Sequence, residues 1–334
     1  MAAGVAASSV HILRAQPAQK YKTALIGSGW WGMNILRTAM EAGQSKVVAL
    51  CDVDDNQLNP AAAEVEKLSG DKPNKYKDYR ELLDKEKPEI VIVATPDHWH
   101  ALAMIAAVKS GAHVYVEKPI SHTLNEGRAM VKAARANNRI VQVGTHRRAS
   151  PHNRSGMEFL KSGKAGKIGM VRAFVHYPGG PGRPSPESDP PQGLDWDMWC
   201  GPAPLRHYNR AIHPKGFRLF LDYANGQLGD WGIHWLDQIL WWTDEKYPRN
   251  VYSTGGRFIK KIARMRRTRR LLLLNLSLLP RPGNIASMRA MKPRKRILAL
   301  IFTAPRAPSI WAGWMAGHFI LPIRTSQSST KMQS

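Results

Sequence analysis

At 334 residues the chain is long enough for two domains and a sizeable core, and its two cysteines, Cys51 and Cys200, offer neither a disulfide framework nor metal-ligand spacing. The formal charge of +24 would by itself suggest a nucleic acid or an anionic membrane as partner. The location of the charge removes most of that argument: the last acid is Glu245, residues 261–334 hold 15 Lys or Arg and no Asp or Glu, and the remainder sets 34 bases against 25 acids.

Residues 1–20 start small and apolar and turn polar from Arg14. They read as a leader or the remnant of an export signal, although the basic n-region of such a signal is missing. A truncated signal implies an exported, periplasmic protein; a plain leader implies a cytoplasmic one.

From Tyr21 the pattern becomes regular. Thr23 to Ile26 reads as a buried strand, followed by Gly27-Ser28-Gly29-Trp30-Trp31-Gly32 and then by Met33, Leu36 and Met40 at helical spacing. A G-x-G-x-x-G is weak alone, but at a strand-to-helix turn it is the fingerprint of dinucleotide binding. Gly27 permits the tight turn, Gly29 the approach of a pyrophosphate, and Gly32 the close packing of helix on strand. The phosphates would lie on free N–H groups at the helix start, beside Trp30 and Trp31. Asp52 stands 20 residues beyond Gly32, after the second apolar run Val47 to Leu50. Its carboxylate can accept from ribose hydroxyls and repels a 2′-phosphate, which favours NAD over NADP. The competing reading is an ordinary strand-helix-strand turn with a surface Asp.

Helices are expected over 57–68, 79–83, 98–110 and 124–136, and strands over 90–94, 112–116 and 140–144. This alternation predicts an α/β doubly wound parallel sheet over residues 21–148. Ligands of such sheets bind off the carboxyl ends of the strands. Three polar clusters fall there: Thr95-Pro96-Asp97-His98, Glu117-Lys118-Pro119 and Gly144-Thr145-His146-Arg147-Arg148.

After Ser150 the rhythm changes, and residues 149–260 are expected to form an α+β domain. It should hold a helix near 153–162, a strand over 170–177 and a proline-rich loop over 178–192. Trp199 lies in an aromatic and acidic cluster that could present a sugar face or simply pack. A helix is expected to open at Leu228 and reach about Trp242, with Asp230, His234 and Asp237 on one face. Such spacing alone most often marks a capping acid and an ordinary histidine.

With these motifs in order, the chain resembles the Gfo/Idh/MocA oxidoreductases, the glucose–fructose oxidoreductase and inositol dehydrogenase group, over about Lys20 to Lys260. The resemblance implies an N-terminal Rossmann domain, a C-terminal domain with an open sheet for substrate binding and oligomerisation, and NAD(P)-dependent redox chemistry on sugars or cyclitols. It implies that Lys118, Asp230 and His234 are catalytic. It implies that Thr95, Pro96, His98, His100, Glu117 and Lys118 line the cofactor, and that Arg147 lies on the substrate side. The bacterial members it is most similar to carry twin-arginine export signals, and the twin arginines are absent here.

The chemistry also follows from residue types. Oxidising a secondary alcohol needs a proton acceptor and a positive group beside the developing alkoxide. His234 suits the first role, with Asp230 or Asp237 to orient it, and Lys118 the second. No metal is required. The expected function is therefore an NAD-dependent oxidoreductase of a sugar or polyol, a small-molecule partner, with homo-oligomers implied by the family. An alternative is an NAD-dependent glycoside hydrolase working by oxidation and elimination, which returns its cofactor unchanged. A reading from another class is an inactive or nucleic-acid-binding basic protein, whose affinity would be strongly salt-dependent and lost without the tail. The acid-free segment 261–334 is expected not to complete the open sheet. Its composition is what a GC-rich coding region gives when read in the wrong frame.

Overall fold

The computed structural model describes residues 19–166, 168, 171, 173, 185–226, 228–246, 248, 250–254 and 271–275. Most of the leader, the strand expected at 170–177 and most of the tail lie outside them.

Strands β1 (Tyr21–Ile26), β2 (Ser45–Cys51), β3 (Asn74–Tyr76), β4 (Ile90–Val93), β5 (His113–Val116) and β6 (Val141–Val143) form one six-stranded sheet in the order 3-2-1-4-5-6. All of its pairings are parallel. The helices between them are α1 (Trp30–Glu41), α2 (Asp55–Ser69), α3 (Tyr79–Glu86), α4 (His100–Lys109) and α5 (Leu124–Ala136). This is the doubly wound arrangement expected from the alternation, with the reversal of strand order between β1 and β4.

Each face of the sheet has its own core. On one side Ala24, Ile26, Val91, Val93 and Val116 pack with Leu82 of α3, Met104 of α4 and Met130 of α5. On the other Leu25, Leu50 and Ile92 pack with Leu36 of α1 and Val65 of α2. Strands buried on both faces are nearly continuous apolar runs because each successive side chain meets a different helix layer. The register of β1 on β2 shifts between Thr23 and Ala24, skipping Val48. One extra residue reverses side-chain parity, so Val47 joins Leu50 in one core while Ala49 joins Cys51 in the other. The edge strand β3 falls where only a connector was expected; with no buried residue it carries no apolar signal.

Beyond the sheet, α6 (Pro151–Lys161) is followed by the short α7 (Trp196–Cys200), α8 (Ile233–Thr243) and an antiparallel pair, β7 (Asn250–Thr254) with β8 (Leu271–Asn275). A third core gathers Trp196, Trp199, Tyr208, Ile212, Phe217 and Tyr223. This segment is tied to the carboxyl end of β2, where Asp195 N–H donates to the Val53 carbonyl at 2.9 Å and Asp55 N–H to the Gly193 carbonyl at 3.0 Å. It therefore stands over the sheet end where ligands of this fold bind. Among the described residues no helix is long and apolar enough to cross a membrane.

Candidate active site

Gly27 follows β1 with φ of 91°, and a Cβ there would lie 2.7 Å from the Ala94 carbonyl carbon. At Gly32 an added Cβ would stand 1.9 Å from the Gly27 carbonyl oxygen, so helix and strand approach as closely as backbone permits. Gly29 differs, since its nearest obstacle would be Gln57 Oε1 at 3.8 Å. The protein does not itself use that space, and α1 begins beside it with no side-chain cap. Its first-turn N–H groups are thus available to an anion, and the turn fits a dinucleotide pyrophosphate.

Asp52 is less free than its spacing suggests. Its Oδ2 accepts from Ser28 N–H at 2.8 Å and from Ser28 Oγ at 3.2 Å, and its Oδ1 from Asp54 N–H at 3.0 Å. The carboxylate fixes the glycine turn and keeps part of its acceptor capacity unspent. Burial pushes its pKa up to about 6, against the lowering effect of those donors.

Lys118 follows β5, and its Nζ donates to Asp230 Oδ1 at 2.7 Å and to the Asp230 carbonyl at 3.1 Å. Arg218 Nε lies 3.3 Å from the same Oδ1, so Asp230 is held between two cations. Asp97 is buried beside this group with Oδ2 unpartnered; burial pushes its pKa up to about 7, partly offset by Arg218 and Lys118. The expected continuous helix from Leu228 is interrupted. Leu228–Gly232 forms a π-helical turn before α8 begins. The wider turn changes the facing of the residues after it, and such turns recur at functional sites. Neither carboxylate expected to orient His234 does so: Asp230 pairs with Lys118, and Asp237 takes both Nε and Nη2 of Arg148.

His234 is buried with Nδ1 unpartnered, its ring 4.9 Å from that of His146. Burial, with Lys118, His146 and Arg147 adding positive field, lowers the His234 pKa to about 2, so the ring is neutral at all ordinary pH. Trp31 stands 5.9 Å from His146 with Nε1 unpartnered, while Trp30 is 59% exposed. Arg147 Cζ lies 4.2 Å above the Trp235 ring. Unpartnered buried atoms thus recur after β1 (Trp31), after β4 (Thr95 Oγ1, Asp97), after β6 (Arg147 Nε) and on the facing helix (His234). Each costs roughly 1–3 kcal/mol unless something else satisfies it, and all lie after the carboxyl ends of the strands or on the facing helix, where ligands of such sheets bind.

Other expected residues serve as supports. His98 Nε2 lies 3.0 Å from the Trp199 carbonyl, its ring 5.0 Å from that of Tyr223, and burial lowers its pKa to about 4. It joins the sheet to the third core, with Nδ1 unpartnered. Trp199, expected as a sugar face, is 5% exposed and stacks on Trp196 at 4.8 Å. An indole buried in a core offers no face to a ligand. The ring nitrogens of His100 lie between two carbonyls, Nδ1 2.7 Å from Pro119 and Nε2 2.9 Å from Thr95, and the neutral ring donates to one of them. His100 thereby ties the start of the loop after β4 to the one carrying Lys118. Glu117 is buried, accepting from the Tyr115 hydroxyl at 3.0 Å and from Lys118 N–H at 3.1 Å. Arg218 was missed because nothing in the stretch Gly216–Leu219 marks it.

Comparison with known proteins agrees with this fold. Residues 21–145 match the oxidoreductase family described as an NAD-binding Rossmann fold, and residues 180–257 match the same family's C-terminal alpha/beta domain. The chain belongs to the Gfo/Idh/MocA oxidoreductase family. Among curated members, it is 29% identical over 158 residues to an inositol 2-dehydrogenase of Salmonella paratyphi B, covering 47% of this chain and 46% of that one. It is 30% identical over 109 residues to a glycosyl hydrolase family 109 protein of Shewanella, covering 31% of this chain and 24% of that one. The solved structure of an oxidoreductase domain protein from Kribbella flavida superposes with a TM-score of 0.53 at 25% identity, over 72% of this chain and 58% of that one. This Gfo/Idh/MocA chain thus matches less than half the length of those curated relatives.

Proposed function

We propose that the protein transfers a hydride between NAD and the CH–OH group of a sugar or polyol. The observation that carries this reading is the meeting of the Lys118–Asp230 pair with the unpartnered His234 Nδ1 beside an uncapped glycine turn. Gly29 and the first turn of α1 would hold the pyrophosphate and Asp52 the adenosine ribose. Bound NAD supplies the hydride acceptor. Lys118, only 12% exposed, places positive charge where an alkoxide develops, and Asp230 with Arg218 holds the ammonium in that direction. His234 takes the hydroxyl proton in its neutral form. A pKa of about 2 leaves His234 a weak base near neutral pH, so the role requires the bound substrate to relieve the positive field of Lys118 and Arg147, and the adjacent exposed His146 leads toward solvent. The bound substrate is a small molecule, and assembly into homo-oligomers accords with the family.

Lys118→Ala and His234→Ala should each depress kcat by roughly a hundredfold or more while NAD affinity changes far less. Near-normal turnover in His234→Ala would assign the base to Asp230 or His146. The match to a glycosyl hydrolase family 109 protein favours one second reading, glycoside cleavage through transient oxidation. Net release of NADH distinguishes the two, because the hydrolase regenerates its cofactor within each turnover.

A further inference from the structure

Within the proposed site, three of the four cations near the catalytic groups have carboxylate partners: Lys118 and Arg218 share Asp230, and Arg148 holds Asp237. Arg147 has none. Its guanidinium makes no hydrogen bond to any described residue, its Nε is buried, and burial alone lowers its pKa with no acid acting on it. Undescribed segments cannot supply the missing side-chain carboxylate, because all 25 Asp and Glu of the sequence fall among the described residues. Arg139 also has a buried, unpartnered Nε, but it precedes β6 and so lies at the opposite end of the sheet.

A guanidinium centred 4.2 Å over an indole has lost much of its hydration on that side, and an unpaired, partly desolvated cation is unfavourable until an anion reaches it. Arg147 follows β6 at the ligand-binding end of the sheet, and its charge is felt by both His146 and His234. We propose that the substrate of this site is a sugar acid whose carboxylate binds Arg147. This rests on the oxidoreductase reading above and narrows its substrate class. The planar fork of Arg147 matches a carboxylate in two-point contact, which a neutral polyol cannot reproduce. Occupancy has a second effect. An anion on Arg147 cancels one of the positive fields acting on His234, strengthening that ring as a proton acceptor when the right substrate is present.

The test is equilibrium binding to the full-length protein saturated with NAD, using D-glucuronate and D-galacturonate against D-glucose and D-galactose. The uronates should bind at least about tenfold more tightly than their neutral parents, with an advantage that shrinks as salt rises because the contact is partly exposed. In Arg147→Met the advantage should vanish while NAD affinity is retained, and in Arg147→Lys it should survive in part. If Arg147→Met does not fold, the salt dependence and the Lys variant decide alone. Equal binding of acids and neutral sugars, absence of uronate binding, or an undiminished advantage in Arg147→Met would overturn the proposal. Oxidation of neutral sugars without any preference for acids would leave the oxidoreductase reading standing and remove this one. Preferential uronate binding with no NADH formed would do the reverse.

Discussion

At the scale of single residues, burial and local charge decide what each titrating group can do. Asp52 anchors the glycine turn through Ser28 and, in the proposed role, would also hold the adenosine ribose, so Asp52→Ala should weaken NAD binding as well as narrow the preference over NADP. Its pKa of about 6 implies that NAD affinity falls as pH drops through 6, since a protonated carboxyl accepts less well; quenching of tryptophan fluorescence by NAD measures both effects. A wild type that binds NADP more tightly than NAD would contradict the role. His98 gives a stability prediction. Its folded-state pKa of about 4 lies below the ordinary 6.5, so between these values the unfolded chain binds a proton that the folded chain refuses. The stabilisation is complete above pH 6.5 and is lost as pH falls toward 4, amounting to on the order of 3 kcal/mol at 1.36 kcal/mol per unit. Urea unfolding of His98→Gln should show a flatter acid limb over that window, and an unchanged slope would exclude His98 as its source.

At the scale of elements, the turn between β1 and α1 separates folding from binding. At Gly29 an added Cβ meets only Gln57 Oε1 at 3.8 Å, so in Gly29→Val the fold should survive and NAD binding should be lost. Gly32→Val places Cβ 1.9 Å from the Gly27 carbonyl oxygen and should disrupt helix packing itself. Melting curves with NAD titrations test the contrast; a Gly29→Val protein that binds NAD normally would move the pyrophosphate elsewhere. The π-helical turn before α8 is the corresponding feature on the facing side. It lets Asp230 reach Lys118 while His234 turns toward His146, two directions that a regular helix would not have given residues four apart.

At the scale of the whole molecule, the family's C-terminal match ends at residue 257, close to the point where acids disappear from the sequence. The one described piece of the tail is β8, which pairs with β7, so part of the leucine block does form a strand. On β7, Val251 and Tyr252 are 60% and 64% exposed. A two-stranded ribbon with apolar side chains uncovered is marginal alone and prone to edge association. The expressed chain should therefore aggregate on concentration or unfold without cooperativity in its C-terminal part. Translation of the nucleotide sequence beyond Lys260 in the other two frames tests the frame-shift expectation directly. A protein that is soluble and unfolds cooperatively through residue 334, with no acid-bearing strand pattern in either frame, would refute it.

The sequence by itself determined the parallel sheet and its dinucleotide turn, because apolar runs of strand length and glycines at fixed offsets are local signals that survive without tertiary context. It also placed Lys118 and Arg147 after strands of the sheet and Asp230 and His234 on one face of a single later helix. Only the tertiary structure decided what those groups face. The bulge in β2, the partnering of Asp237 with Arg148, the burial of Trp199 and the arrival of Arg218 at Asp230 all join residues far apart in the chain. The low proton affinity of His234 arises the same way, from desolvation and from cations on two other loops. Electrostatics and packing act through space, so sequence spacing could name the participants but not set their charge state or their partners.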